Sequence, residues 1–535
     1  MYWIKFHIIQ LEKGGSDTMI TVRQSKSFVL LMAMMLLIAL ATGCGKSDST
    51  AGKAKETLTV ATAYDAKSLD PHATNDVASS NVMAQIYENL VALNDKGEVI
   101  PMLAESFKRL DPVTYEFKLK KGVKFHNGEE LKASDVKFSL ERALTPMGAS
   151  IAHIVGEIDP AGFKIVDDYT IVVKTKVPFA GFLPSLAHTG GSILNEKAVK
   201  AAGKDYSQNP VGTGPFKFTK WAKGDRVELE RFDGYHGNKP QFKNMIIRVI
   251  VEPTNRAIEL ESGSVDIAYE ISTNDLKRVQ DNKDLKLLRI MDNSITHLGM
   301  NTNKKPFGDV RVRQAISYAI DSKTVVDSVW RGIGSAAVGP VPMNVKYFNK
   351  SLTSHEYNPE KAKQLLAEAG LPNGFKTTIW TNDKKERVDM ATIIQNQLKQ
   401  VGITVDIKVM EWGAFLDGTN KGEQDMYIIG WTSQINDPDM SLYAMFHSSK
   451  FGAGGNRPFY KNSKVDELIE QGRLMEDSDA RQTLYFELQN MINADAPWIY
   501  LNAGEQVVGT KKAVKGFVPS PFGYHVLYNV SFDGQ

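Results

Sequence analysis

From residue 57 onward the hydrophobic pattern of the chain changes period repeatedly, between alternation at every second residue and recurrence every three or four, and this switching restricts the possible folds most. TLTVATA (57–63) alternates as a strand, while VASSNVMAQIYENLVAL (77–93) carries helical spacing through Val82, Ile86 and Leu90. YEFKLKKGVKFH (115–126) alternates again, with Tyr115, Phe117 and Leu119 on one face, and DYTIVVKT (168–175) reads the same way. KKGVKFHNGEELKASDV reads as two short strands around an Asn127-Gly128 turn, followed by a helix capped by Ser134. After PFGD, Asp309 is placed to cap a helix in which Val312, Ala315, Ile316, Ala319 and Ile320 repeat at helical spacing. PEKAKQLLAEAG (359–370) ends in a C-cap glycine, RVDMATIIQNQLKQVG (387–402) repeats that form, and ITVDIKVMEW (403–412) returns to strand. Helix followed by strand at this interval predicts a mixed α/β chain with βα units. Roughly 480 residues follow residue 56, too many for one hydrophobic core, so two or three domains are expected.

The N-terminal segment follows a different logic. Taking Met19 as the start, Arg23 and Lys26 precede an almost wholly apolar run at 28–43, and Cys44 follows at once. That run is shorter than the roughly 18 to 20 residues a membrane-spanning helix needs, so it reads as a signal peptide. Cys44 is the only cysteine, which excludes an intrachain disulfide. LATGC (40–44) resembles a bacterial lipobox, in which the cysteine thiol receives a diacylglycerol; Ala41 stands where that pattern more often has Leu. The other reading is an ordinary signal peptide with a stray cysteine. Residues 1–43 are thus an upstream extension and signal, and 44–56 a flexible tether that begins at the lipidated Cys44. The full chain carries a net charge of +2, and residues 1–43 hold four basic and two acidic residues, leaving the remainder near zero. No nucleic acid or other polyanionic partner is implied.

A search for reactive constellations returns little. None of the ten histidines belongs to an HExxH motif, there is no GxSxG elbow, and a single cysteine gives no thiolate metal site. Ser134 and Lys137 satisfy SxxK, a pattern short enough to arise by chance. Gly45, Lys46 and Ser47 imitate the end of a Walker motif, but Leu40 stands where its first glycine belongs. The residues therefore imply no enzyme, no cofactor and no metal site, with a secreted hydrolase as a distant alternative.

Six segments together carry a resemblance: SLDPH (68–72), MLAESFKRLDPVTYEFKLKKGVKFHNGEELKASDVKFSLER (102–142), NPVGTGPF (209–216), LESGSVDIA (260–268), PFGDVRVRQAISYAID (306–321) and GWTSQINDPD (430–439). The chain after Thr57 resembles the peptide/nickel family of ABC-importer solute-binding proteins, the oligopeptide- and dipeptide-binding lipoproteins. The resemblance implies a two-lobed type II periplasmic-binding-protein fold. Lobe 1 would comprise residues 57–296 and 504–535, with an inserted subdomain at about 92–208, and lobe 2 residues 297–503. It implies a monomeric, lipid-anchored receptor on the extracytoplasmic face of the cell membrane, which closes on a peptide-like ligand and delivers it to ABC permease subunits with their ATPases. Carried over by position, Val77, Ala78 and Ser79 line the first lobe, Gly430, Trp431, Thr432 and Ser433 pair with the ligand from the second, and Trp412 is a cleft aromatic. Arg387 is the candidate for a ligand carboxylate, which a guanidinium grips with two parallel hydrogen bonds, the other reading being a solvated helix face. Peptide-binding relatives place an aspartate for the ligand's ammonium where this chain has Gln434, and Asp437 and Asp439 lie nearby. A nickel complex, haem, a glutathione-like compound and a peptide signal remain alternative ligands.

Overall fold

The computed structural model describes residues 55–94, 96–353, 355–452 and 455–533. The signal segment and Cys44 lie outside the described residues. Among those residues no helix is long and apolar enough to cross a membrane.

An eleven-stranded mixed sheet forms the spine. Its strands are β1 (Thr57–Thr62), β2 (Phe216–Ala222), β3 (Arg226–Arg231), β4 (Asn244–Val249), β5 (Ile267–Ala268), β6 (Leu285–Met300), β7 (Ser335–Ala336), β8 (Lys376–Asn382), β9 (Thr404–Met410), β10 (Met426–Thr432) and β11 (Trp498–Lys511). They run in the order β9-β8-β10-β6-β11-β5-β1-β4-β3-β2, with β7 on the side of β11. The long antiparallel strands β6 and β11 pass between two groups of cores. Toward one end the cores draw on Val60, Phe216, Ile247, Leu260 and Val507, and toward the other on Leu298, Ile316, Ile379, Ile428 and Leu501. Where they cross, the ladder breaks register: Met291 pairs Glu505, but the next pair is Ile295 with Ala503. Asp292–Ser294 is therefore a bulge, the usual device for bending a strand without ending it.

A separate four-stranded antiparallel sheet (Ala104–Asp111, Thr114–Leu119, Thr170–Lys174, Lys164–Asp167) packs with the helix Ala133–Ala143 around Phe117, Phe125, Leu140 and Phe182. The turn at Asn127-Gly128 forms as predicted, with Gly128 at φ +88° and its N–H donating to Phe125 O. Ser134 does not cap the following helix. Lys132 holds the cap position, and its N–H is taken by the Asp135 carboxylate at 3.0 Å.

The helix expected over 77–93 spans only Val77–Ile86. Tyr87 turns to extended backbone, and the Asn89 amide is spent on Leu186 O and His188 O, so Val91–Leu93 continues as strand. The remaining helix ends follow local chemistry: Asp309 accepts from Arg311 N, and Gly370 and Gly402 take φ +80° and +85° beyond helices Pro359–Glu368 and Lys385–Lys399. ITVDIKVMEW stops being strand at Met410; Trp412 opens the helix Trp412–Asn420, for which Glu411 is the N-cap.

Candidate ligand cleft

Strands β8, β9 and β10 are parallel, so their carboxyl ends share one edge of the sheet. In open α/β sheets that edge is where ligands bind. Here it also has unused main chain. β8 is laddered to β10 only at Met426 and Tyr427, so the rest of β10, through Gly430, Trp431 and Thr432, has no strand partner on that side.

Arg387 stands over this edge. It lies in the first turn of the helix that follows β8 and donates to Asn382 Oδ1 at 2.8 Å, its guanidinium carbon lies 5.5 Å from the Trp412 ring centre, and a Cβ on Gly430 would lie 3.5 Å from its Nη2. Trp412 in turn stacks on Phe415. Three of the residues expected at a ligand site, Arg387, Trp412 and Gly430, are thus neighbours. Burial pulls the Arg387 guanidinium below its ordinary value, with Tyr64 and Glu386 opposing from a distance. On the opposite wall, Gly523 lets Val77 and Thr432 approach: a Cβ there would sit 3.3 Å from Val77 Cγ2 and 3.6 Å from Thr432 Cγ2. Ala78 follows Val77 on the half-buried first turn of the same helix.

Other expected residues point elsewhere. Ser79 is buried; its Oγ accepts from Lys67 N and donates to Asp76 Oδ2 at 2.7 Å, so it fixes the helix start. Trp431 packs between two cores and donates from Nε1 to Ser441 Oγ at 3.2 Å. Ser433 is buried, its N–H on Asn293 O and its hydroxyl on Ile435 O.

Gln434 is only 4 % exposed. Its Oε1 accepts from His188 Nε2, and its Nε2 donates weakly to Asn75 O at 3.4 Å. The tautomer follows from the other ring nitrogen, since His188 Nδ1 accepts from Gly190 N at 2.9 Å. Burial holds His188 at about 4, so both members of this couple are neutral.

The nearby carboxylates are already engaged. Asp437 is gripped by both terminal nitrogens of the fully buried Arg481 at 2.8 and 3.1 Å, and Asp439 pairs with Arg473 at 2.9 Å. Neither replaces the aspartate that Gln434 displaces.

Sequence reasoning missed a second set of residues below the edge. His297, Tyr427, Trp498 and Tyr500 are all 3 % exposed or less; Trp498 and the Tyr427 hydroxyl face each other, while the Tyr500 hydroxyl has no partner among the described residues. His297 stacks on Trp498 with ring centres 3.4 Å apart and meets Tyr427 edge-on at 6.0 Å, and Tyr500 is its cross-strand neighbour. A buried hydroxyl without a partner is rare in a finished core. In the sequence each of these residues reads as an ordinary core aromatic. The only available signal was alternation along β10, which puts Tyr427 on the same face as Ile429 and Trp431.

A mixed sheet crossed by two long strands, an added antiparallel subdomain and an unpaired strand end beside Arg387 and Trp412 define a solute-binding protein. The chain belongs to the bacterial extracellular solute-binding proteins of family 5, whose middle region matches residues 98–453. Among its relatives, the glutathione-binding protein GsiB of Pectobacterium atrosepticum is 34 % identical over 468 residues, covering 85 % of this chain and 90 % of that protein. The heme-binding protein A of Haemophilus influenzae is 32 % identical over 484 residues, covering 84 % and 87 %. Among solved structures, the ABC transporter-associated periplasmic binding protein DppA of Helicobacter pylori, in complex with the peptide STSA, aligns with a TM-score of 0.82 at 30 % identity, over 90 % of this chain and 98 % of that one.

Proposed function

We propose that this protein is the lipid-anchored, monomeric receptor of an ABC importer, which captures a short peptide or peptide-like solute between two lobes and hands it to the membrane permease. The observation that carries the reading is the unpaired stretch of β10 through Gly430–Thr432, beside an arginine and a tryptophan. An extended ligand adds to such a strand through its main chain, while its carboxylate meets Arg387 and its side chains fall toward Trp412 and the aromatic set around His297. Val77 and Ala78 close over it from the other side.

Two lobes, 57–296 with 504–535 and 297–503, agree with cores gathered on either side of the β6–β11 crossing, and an inserted subdomain at about 92–208 agrees with the separate core around Phe117. Anchoring through Cys44 rests on LATGC and the signal-like run before it. With the family devoted to binding and no catalytic constellation in the sequence, the reading assigns no chemical step to this chain. Among members with different ligands, Gln434 favours one whose amine is blocked, displaced or absent, because the position offers a neutral couple to His188 and no carboxylate.

The test is small-angle scattering and differential scanning fluorimetry of the mature protein against a panel of tripeptides, free and N-acetylated. Capture predicts a smaller radius of gyration and a higher melting temperature with at least one member, and N-acetylation should leave its affinity within about 1 kcal/mol, the scale of one ordinary hydrogen bond. An unchanged profile with every member refutes peptide capture.

A further inference from the structure

On the sheet face that carries Arg387, one carboxylate has no cation. Along β6 the exposure alternates: Asp292, Ser294 and Thr296 keep some, while Asn293 and Ile295 are buried. Register with β10 fixes where the exposed set points. Ser294 pairs Thr432 and Thr296 pairs Gly430 with no shift between them, so these four share one face. The distances agree, since a Cβ on Gly430 would lie 3.7 Å from Thr296 Oγ1 and 3.5 Å from Arg387 Nη2. Asp292 lies across the bulge, where alternation alone does not decide its direction. Two contacts do. Its Oδ1 accepts from Ser294 N at 2.8 Å, and a Cβ on Gly504, in the facing strand β11, would meet both Ser294 Oγ and Asp292 Oδ1, the latter at 2.5 Å. The carboxylate therefore lies beside Ser294 Oγ, level with Thr432, on the face of Arg387.

Nothing positive answers it. Among the described residues no cation lies within ion-pair distance of Asp292, and its hydrogen bond comes from inside the bulge. Asp437 and Asp439, by contrast, are spent on Arg481 and Arg473. Burial raises the Asp292 carboxyl above its ordinary value; the Ser294 hydrogen bonds and Lys384 oppose the rise, and Glu270 adds to it. Position decides which cation fits. A ligand added to β10 on the β8 side stands two strand spacings from β6, about 10 Å across the face. Gly430 leaves that path without a side chain. A group that crosses it must be long, apolar along its stem and charged at its tip, as lysine and arginine side chains are. The ligand's own main-chain ammonium lacks that reach and stays on the far side of β10.

We propose that Asp292 selects a ligand with a basic side chain, a short peptide-like molecule whose carboxylate meets Arg387 and whose lysine- or arginine-type stem crosses Gly430 to set its cation on Asp292. This rests on the capture reading of the same cleft and names its substrate class. The displaced amine that Gln434 favours then has a partner. Asp292 is the residue that sets specificity, since Arg387 alone would serve any ligand with one carboxylate.

The experiment uses the mature protein and N-acetylated alanine tripeptides in which one lysine, or one norleucine, is moved through the three positions, read by calorimetry and thermal shift. Acetylation removes the main-chain ammonium, so only the side-chain cation is compared. A third probe, ε-aminocaproate, carries a carboxylate and an ammonium on one chain without a peptide bond. At one position at least, the lysine peptide should bind at least tenfold more tightly than its norleucine mate. Asp292→Asn should bring that ratio to about one while leaving the norleucine peptide's affinity in place, and Asp292→Glu should keep part of it. The ligand-free Asp292→Asn protein should melt within a few degrees of the parent, because the amide oxygen still accepts from Ser294 N. Equal affinity of the two series at every position overturns the inference and leaves peptide capture standing. A ratio that survives Asp292→Asn overturns it by handing the cation to another group, and a ligand-free variant that melts markedly lower overturns it by giving the carboxylate a structural role. Binding of ε-aminocaproate that Asp292→Asn abolishes, with no peptide bound, keeps the assignment of Asp292 and overturns peptide capture; binding of none of the probes overturns both.

Discussion

Closure can be weakened without changing a proposed ligand contact, at the pair formed by Arg473 and Glu157. Arg473 Nη2 meets Glu157 Oε1 of the inserted subdomain at 2.9 Å, while its Nε faces Asp439 at 2.9 Å and its guanidinium lies 3.6 Å over Tyr443. Next to it, Ala180 N donates to Arg473 O, so the contact has a main-chain component. Glu157→Gln removes one charge and keeps the shape. At 2.9 Å the raw attraction is on the order of 6 kcal/mol with an effective dielectric of 20, but most of it is offset by desolvation, and the Glu157 side chain is 25 % exposed. A net loss of about 1–2 kcal/mol follows. Because Glu157 and Arg473 sit in different lobes of the proposed division, the loss falls on the closed form, and the apparent Kd should rise about 5- to 30-fold. Calorimetry reads this, and scattering should show that a higher ligand concentration is needed to reach the compact form. Arg473→Gln is the contrast, since it leaves Asp439, which burial already holds up near 6, as a lone buried carboxylate, and should lower the melting temperature as well. If Glu157→Gln leaves Kd within twofold, the contact does not hold the lobes together and the reasoning fails.

Further outcomes are expected. Gly430→Val fills the space between β10 and Arg387, whose Nη2 is 3.5 Å from the Cβ position, and should abolish ligand-induced stabilisation while shifting the ligand-free melting temperature by no more than a few degrees. Acid should destabilise the fold before carboxylates protonate: burial holds His126, His188 and His525 at about 4, below the ordinary 6.5, and in each Nδ1 accepts a main-chain N–H. Their stabilising contribution is complete above pH 6.5 and is lost as pH falls toward 4, about 2 kcal/mol for each by pH 5, so denaturant titrations at pH 7 and pH 5 should differ by several kcal/mol; equal midpoints would refute this. Cys44→Ala should release the protein into the medium or leave it unprocessed, and a variant that matures and partitions into detergent as before excludes the lipid anchor.

What was legible in the sequence was what short stretches decide alone. Asp309, Gly370 and Gly402 sit at helix ends because a cap or a left-handed residue is a local requirement, and the Asn127-Gly128 turn needs no distant partner. The helix over 77–93 was read too long because Leu90 continues the apolar spacing. What stops it is Asn89, whose amide reaches carbonyls nearly a hundred residues away. The crevice shows the same limit. Trp412 and Gly430 came from the family resemblance and Arg387 from the fit of a guanidinium to a carboxylate, whereas the set around His297 meets only after β6, β10 and β11 pair, and nothing local distinguishes a tryptophan of such a set from one that fills a core. Gln434 was the reverse case: its neutrality was plain in the sequence, and its engagement with His188 and Asn75 was not.

On the proposed two-lobed reading, the irregular stretch of the β6–β11 pair is where a continuous sheet could bend. A loop would give free rotation but no restoring force, and an unbroken ladder would forbid bending. The bulge at Asp292–Ser294 interrupts pairing between Met291 and Ile295, and a second register shift follows between Thr296 and His297, so bending along this stretch would cost few hydrogen bonds. Gly504 opposite is required by space, since a Cβ would lie 2.0 Å from Ser294 Oγ and 2.5 Å from Asp292 Oδ1. Asn293, at the centre of the bulge, is tied to both halves. Its N–H donates to Pro521 O in the returning C-terminal segment, and its carbonyl accepts from Ser433 N, one residue beyond the end of β10. Beside it a cavity of about 320 Å³, lined by Lys96, Met291, Asn293, Asn344, Asn436 and Phe522, leaves room for the bulge to shift. On the proposed reading, a ligand that adds to Gly430–Thr432 would order the residues immediately before Ser433, and the hydrogen bond from Ser433 N to Asn293 O would carry that order to the bulge. Ser433, read from the family as a ligand contact, would on that reading act through Asn293, coupling the occupied strand to the bulge.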